Sequence, residues 1–464
     1  MAGGLRDASR RRFLRQGALG AGAAFAGLTP VGRALAQANR VGRQVAGYGP
    51  LAPVRDLATG EPLLELPAGF SYRSIGWAGE PLAGDVETPG RHDGMGIVAV
   101  DGDVVTLVRN HEVGVGTPFA PPGATWDPES GGGTVTLRFD TRRGELVDAR
   151  ASLSGTLYNC SGGITPWGTW LSCEEGVREA DDRALRDLFR PVRRSHGWVF
   201  EVPARGEAAA EPLTALGCFR HEAAAVDPHD GVVYLTEDQP GRSGFYRCVP
   251  AHRGELRRGG RLQMLQAIGA PDLRRGRHQG QRLRVRWIDI DEPRRGVDSR
   301  GGESGVLEQG VAGGASQFTR LEGCIVDGDR IWFTSTDGGD AGCGQLWAFH
   351  PRTQELELVF ESPSRDVLDY PDNLVPSPRG GLVICEDSTQ AVPQRLWGMT
   401  ADGGLFAFCR NIVRLDGMHG FDGDFSDEEW AGTCFSPDGR WLFANIYRPG
   451  LTVAITGPWR DGLI

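Results

Sequence analysis

The sequence predicts an all-β protein, a six-bladed β-propeller with long inserted loops and a few short helices. Three observations point there. A turn followed by an apolar strand that ends in a polar or acidic residue recurs six times. A second strand pattern, usually opened by glycine, follows each copy. The 464-residue chain also carries 69 Gly and 29 Pro, which favours turns and short strands over long helices.

The first copy, "DGDVVTLVRN" from Asp101, is followed by "GTVTLRFD" from Gly133. "TPWGTWLSCEE" from Thr165 precedes "HGWVFEVP" from His196, and "DPHDGVVYLTED" from Asp227 precedes "SGFYRCVP" from Ser243. The last three pairs open at Val326 and Gly344, at Ser377 and Gly403, and at Ser436 and Gly450. Alternation with β-branched and aromatic residues marks the strands, and Gly, Pro and Asp mark the turns. Each such unit buries its faces against its neighbours, and closing the ring leaves only short edges. The arginine-rich stretches Arg178–Arg194 and Arg253–Arg286 read as insertions, partly helical. Two stacked β-sandwiches are the rival arrangement.

Residues Met1–Ala36 stand apart from this pattern. "SRRRFLR", Ser9 to Arg15, is followed by a small-residue apolar run to Leu28 and then by "ALA" at Ala34–Ala36. This is the pattern of a twin-arginine export signal, with 37–464 as a single mature domain. The run is too short for the roughly twenty apolar residues of a membrane span, so no stable span is expected. A periplasmic or extracellular location and contact with the twin-arginine export machinery follow from that reading.

The net charge is -10, and removing six Arg and one Asp with the signal takes it to -15. An acidic surface argues against a nucleic-acid partner, because phosphate backbones demand a basic one. The basic residues are all arginine. Nine cysteines include no C-x-x-C pair, so a zinc ribbon is not expected, and most read as small buried apolar residues.

The strand ends carry the chemistry. They read Arg109-Asn110-His111-Glu112, Glu174-Glu175, Glu237-Asp238, Thr336-Asp337, Glu386-Asp387 and Asn445. If corresponding strands run the same way, these ends gather at one mouth. Carboxylates from several units would repel there without cations, and converging hard oxygen ligands suit Ca²⁺. Adjacent acids on a strand point to opposite faces, so the pairs cannot both contribute equally. "DGDFSDEE", Asp422 to Glu429, lacks EF-hand spacing and reads as a solvated loop.

The segment "NCSGGITPWGTWLSCEE", Asn159 to Glu175, resembles the most distinctive stretch of the PhoX-type alkaline phosphatases nearly residue for residue. "NHE" at Asn110–Glu112, "HEAAAVDP" from His221, "VYLTED" from Val233, "RLEG" at Arg320–Gly323, "PDNL" at Pro371–Leu374, "CED" at Cys385–Asp387 and "CFSPDGRWLFANIYRPG" from Cys434 follow in the family order. "RHDGMG", Arg91 to Gly96, is only loosely similar to the family's early Asn-Asp segment. The chain is also shorter than the best-known members.

The resemblance implies a propeller that hydrolyses small-molecule phosphate monoesters outside the cytoplasm, in phosphate acquisition; a monomer is expected. It implies several Ca²⁺ ions and a pair of Fe³⁺ ions with a bridging oxo group. The nucleophile would be a metal-bound oxo or hydroxide, with no covalent serine intermediate. Carried over by motif, Cys160 would be the iron ligand. Glu112, Glu175, Glu222, Glu322, Asp372, Asn373 and Glu386 would be carboxylate or amide ligands, with Glu174, Glu237 and Asp238 as further candidates. Arg320 would clamp the phosphate with its guanidinium fork. His111 and His221 would support the glutamates that follow them. Two other functions fit the composition: a calcium-dependent lactonase-type propeller hydrolase, which needs no thiolate, and a non-catalytic exported propeller that binds a partner.

Overall fold

A computed structural model describes residues 41–84, 86–180 and 192–464. The export signal expected at Met1–Ala36, and most of the insertion expected at Arg178–Arg194, lie outside these residues. The described chain is nearly all-β, with one α-helix, Gly305–Ala312, and three short 3-10 turns.

Its strands form six antiparallel meanders in chain order. The first comprises His92–Asp101, Val104–His111, Gly132–Asp140 and Glu145–Thr156. The second has three strands, beginning at Asn159–Ile164 and Thr169–Glu174. The third and fourth begin at His221–Val226 and Leu321–Asp327. Their outermost strands, Arg282–Asp289 and Glu355–Glu361, pair with each other and merge the two meanders into one nine-stranded sheet. The two end strands of that sheet touch again, so it is nearly closed. The fifth begins at Pro371–Pro376 and the sixth at Trp430–Phe435.

The first strands of the six meanders contact one another in a closed cycle, the sixth returning to the first. The chain's beginning seals two of the outer edges. Ser71–Ile75 pairs with Leu451–Thr456 as the last strand of the sixth meander, and Leu64–Pro67 pairs with Leu405–Asn411 in the fifth. Covering edge strands in this way removes unpaired backbone groups that would otherwise template aggregation. The segment Arg253–Arg286, expected as a partly helical insertion, instead supplies the fourth strand Gly260–Ala267 and part of the fifth strand of the third meander. Alternation at Arg282, Arg284 and Arg286 puts arginine outside and Leu283 and Val285 inside, which is a strand signal hidden by the charge.

A common seam joins successive meanders. The penultimate residue of each second strand is a polar side chain or a cysteine: Asn110, Cys173, Thr236, Thr334, Cys385 and Asn445. Asn110 Nδ2 donates to the Cys160 carbonyl at 3.0 Å, and Thr236 Oγ1 to that of Glu322 at 2.6 Å. Thr334 Oγ1 donates to the Asp372 carbonyl at 2.9 Å, and Asn445 Nδ2 to that of Asp93 at 2.5 Å. Each bond satisfies a buried carbonyl of the next meander's first strand, which would otherwise cost about 1–3 kcal/mol unpaired. Between the seams, apolar faces pack, as where Phe245 stacks on Phe333 at 4.2 Å between the third and fourth meanders.

Candidate metal centre

Every first strand begins with the same irregularity. Its register against the second strand shifts just after the opening residue, between His92 and Met95, Asn159 and Gly162, His221 and Ala224, Leu321 and Cys324, and Pro371 and Leu374, and one residue later in the sixth, which opens at Trp430 and shifts between Ala431 and Cys434. An irregularity of this kind bends the strand and re-aims a side chain. The residues that follow the opening position are Asp93, Cys160, Glu222, Glu322, Asp372 and Ala431. Five of these six equivalent places therefore hold a metal-ligating side chain.

A second set of equivalent places follows the second strands. The backbone N–H groups of Glu112, Glu175, Asp238, Thr336, Asp387 and Tyr447 donate to the carbonyls of Arg91, Tyr158, Arg220, Arg320, Tyr370 and Glu429. These six bonds, 2.8–3.3 Å long, recur once per meander. Four of the accepting residues, Arg91, Tyr158, Arg320 and Tyr370, have positive φ between 38° and 53°. Bulky side chains seldom adopt that backbone, which marks a turn held in place by its surroundings.

Two clusters result. Ligand atoms of Asp93, Glu112 and Cys160 lie within 4.8 Å of one another, and so do those of Glu222, Glu322 and Asp372. Burial pushes the carboxyls of Asp93, Glu222 and Glu322 well above the usual carboxylate range, and mutual repulsion adds to it. Burial, then Glu175, lifts Glu112 to about 7; burial, then Asp387, lifts Asp372 to about 8. The Cys160 thiol is raised by burial and then by Glu175, Glu112, Glu222 and Asp93. Its Sγ lies 3.2 Å from Glu175 Oε2. Asp387 and Glu429 join the group, each raised by burial, and Asp387 further repels Glu429. Among all these acids, Arg320 is the deepest cation. Its Nε donates to Asp238 Oδ1 at 3.1 Å and its NH2 to Glu322 Oε1 at 2.7 Å.

The acid pairs divide by face. Glu175, Asp238 and Asp387 belong to the central group, whereas Glu174, Glu237 and Glu386 turn outward into their own meanders. Glu174 accepts the N–H groups of Leu157, Gly197 and Trp198 and meets His196 Nδ1 at 2.7 Å. Glu237 accepts from Gly244 N–H and Tyr246 Oη at 2.9 and 2.7 Å. Glu386 is gripped by Arg395 at 2.6 Å and accepts from Trp397 Nε1 at 3.1 Å. These three, expected among the ligands, are fasteners at the strand ends, because alternation sends the first acid of each pair away from the second. Asn373 is also used structurally: its carbonyl oxygen accepts Gly432 N–H across the seam at 2.8 Å, and its amide donates to Asp372 at 2.8 Å.

The donor set fits cations. A thiol beside two carboxylates combines soft and hard donors, as iron accepts, while the all-carboxylate cluster suits a hard ion such as Ca²⁺. Without a cation, each pair of ionised carboxylates about 5 Å apart would cost roughly 3 kcal/mol at an effective dielectric constant of ~20.

The sequence matches the family described as Alkaline phosphatase PhoX over residues 46–144 and 140–450. The chain belongs to the PhoX alkaline phosphatase family. It is accordingly a hydrolase acting on phosphate monoesters, in a family that is metal-dependent and generally exported. Among solved structures, this PhoX-family chain is similar to the gluconolactonase XC5397 of Xanthomonas campestris, at 12% identity and a TM-score of 0.40, covering 88% of this chain and 98% of that one. It is also similar to Kuenenia stuttgartiensis hydrazine synthase, at 13% identity and a TM-score of 0.34, covering 81% and 97%. Comparison with curated proteins returns no match.

Four PhoX-chain residues at the centre are absent from the expected ligand set. Asp93 sits in the segment least like the family pattern, yet it occupies the same bulge as Cys160. Asp387 ends the "CED" motif, in which the resemblance implies Glu386 as the ligand. Glu429 closes the acidic run expected to be solvated; Asp424 in that run is exposed and pairs with Arg414, whereas Glu428 is largely buried beside Arg448. Arg220, which pairs with Glu175, follows no family motif but occupies the same ring position as Arg320.

Proposed function

We propose that this chain is an exported six-bladed β-propeller phosphatase whose central acids and Cys160 hold ferric and calcium ions. The closed cycle of first strands and the six equivalent bulges support the propeller. The observation that carries the metal assignment is Cys160 Sγ grouped with Asp93 and Glu112 oxygens within 4.8 Å, beside a separate all-carboxylate cluster. Met1–Ala36 would serve as a twin-arginine signal, so that the folded, loaded protein works in the periplasm or outside the cell.

On this reading, Asp93, Glu112 and Cys160 take the iron side and Glu222, Glu322 and Asp372 the calcium side, with Glu175, Asp238, Asp387 and Glu429 completing the shell. When bound, such ions supply Lewis acidity and lower the pKa of the attacking water. Arg320, whose Nε and NH2 are held by Asp238 and Glu322, orients the phosphoryl group through its NH1 end and offsets charge that develops on its oxygens. Asp238 and Glu322 hold that fork flat, so little side-chain entropy is lost when the ester binds. No serine is needed as a nucleophile, and the expelled alkoxide takes its proton from solvent.

The test is metal analysis of protein produced with its N-terminal segment, combined with a chromogenic phosphate monoester assay before and after calcium chelation. Cys160→Ser should lose iron and activity while keeping calcium and its β circular dichroism. Normal iron in that variant, or a folded calcium-replete protein with neither iron nor activity, overturns the assignment.

A further inference from the structure

We propose that Arg220 reads a second anionic group, carried by the leaving portion of the substrate, so that the preferred esters are those of anionic alcohols. This rests on the phosphatase reading above and extends it to substrate class.

Arg220 and Arg320 occupy equivalent places in adjacent meanders, each immediately before a bulged first strand. Both act on Asp238, which lies in the third meander: Arg320 by direct hydrogen bonds and Arg220 through its nearby charge. Both guanidinium groups thus lie toward the Asp238 carboxylate. A transferring phosphoryl group has three free oxygens. One arginine fork takes two, and cations compete for them and for the third. Arg320 meets that need, which leaves the second guanidinium without an acceptor on the transferring group.

Arg220 is held for another purpose. Its NH2 pairs with Glu175, and its NH1 lies 3.7 Å from Glu303 Oε2, while its Nε is buried with no partner. A partnerless buried N–H is costly and gains from an incoming acceptor. The Arg220 side chain stays 29% exposed, so a ligand can reach it. Glu303 sits in the segment before the helix Gly305–Ala312, and its side chain is 45% exposed. It is a carboxylate of the chain standing loosely where a ligand anion would bind, and an anionic ligand would displace it.

The test uses metal-replete protein and two esters that differ by one carboxylate, 3-phosphoglycerate and glycerol 3-phosphate. The readout is the ratio of their kcat/KM values. Arg220→Gln should lower that ratio about tenfold, and Glu303→Gln should raise it about two- to threefold. Arg320→Gln should depress both esters together and leave the ratio in place. Metal content is measured alongside and should match wild type in Arg220→Gln. A ratio unchanged in Arg220→Gln, or lost metal in that variant, overturns the proposal, the latter because Arg220 would then act only by holding Glu175. A wild-type protein inert to both esters brings down the phosphatase reading itself, which is a different result from an unchanged ratio.

Discussion

His196 is a test of how the strand ends are held. Its imidazole is fully buried between two carboxylates, with Nδ1 2.7 Å from Glu174 and Nε2 3.3 Å from Asp127. Burial alone would lower its pKa, but Glu174 and then Asp127 lift it to about 9. The ordinary histidine value is near 6.5. The gap of about 2.5 units is worth roughly 3 kcal/mol of folded-state preference for the protonated ring. Because the folded pKa is the higher one, that stability is fully present below pH 6.5. It declines by up to about 1.4 kcal/mol per pH unit as pH rises, and it is gone above pH 9.

Replacing His196 by Gln isolates this effect. Both carboxylates keep their backbone donors in the variant: the N–H groups of Glu129, Arg193 and Arg194 bind Asp127, and those of Leu157, Gly197 and Trp198 bind Glu174. Urea unfolding of wild type and variant, both chelated, should be followed at pH 6 and pH 9.5. The wild-type advantage should be about 3 kcal/mol larger at pH 6. An advantage equal at the two pH values would refute a protonated His196 in the folded protein. The point matters functionally because Glu174 fixes the strand end from which Glu175 reaches the centre.

Two further outcomes follow from the centre and the seams. Glu222→Gln removes a buried carboxyl whose ionisation burial and the neighbouring Glu322 and Asp372 oppose, so the chelated variant should unfold at the same temperature as wild type or a few degrees higher, while calcium affinity falls at least tenfold by titration; a chelated variant clearly less stable than wild type would contradict that argument. Gly163→Ala places a Cβ 1.6 Å from the Ala224 carbonyl oxygen, so it should force the second and third meanders apart and cost several kcal/mol of stability in urea unfolding, whereas Gly102→Ala, with open space around its Cβ but φ near 63°, should cost only about 1 kcal/mol.

The second strands were the legible part of this fold, because "VVTLV", "WLSC", "VYLT", "IWFTS", "LVIC" and "WLFAN" are short apolar runs with clear turns before them. The first strands were not, although they carry the chemistry. Their bulges break the two-residue period at Asp93, Cys160, Glu222, Glu322 and Asp372, so they fall outside the repeated strand patterns. Motif resemblance reached Cys160, Glu222, Glu322 and Asp372 but missed Asp93, where the flanking residues differ. Periodicity also could not decide which acid of Glu174-Glu175, Glu237-Asp238 or Glu386-Asp387 faces the centre. That choice is made by donors on the third strand or the turn before it: His196 with the Gly197 and Trp198 amides, Gly244 with Tyr246, and Arg395 with Trp397.

The sixth meander shows why counting repeats cannot yield the ligand set. It has the same bulge, the same seam bond from Asn445 and the same backbone bond from Tyr447 to Glu429 as the other five. At the ligand position it has Ala431, and beyond it Gly432 packs against the Asp93 carbonyl. Architecture is therefore repeated six times, while donors are not. The acid missing at Ala431 is partly replaced by Glu429, which arrives from the turn before the strand and interacts with Asp387 and Asp93. An asymmetric donor set built on a symmetric backbone is what distinguishes one cluster with a thiol from another made only of carboxylates. The symmetry comes from packing and the asymmetry from individual side chains.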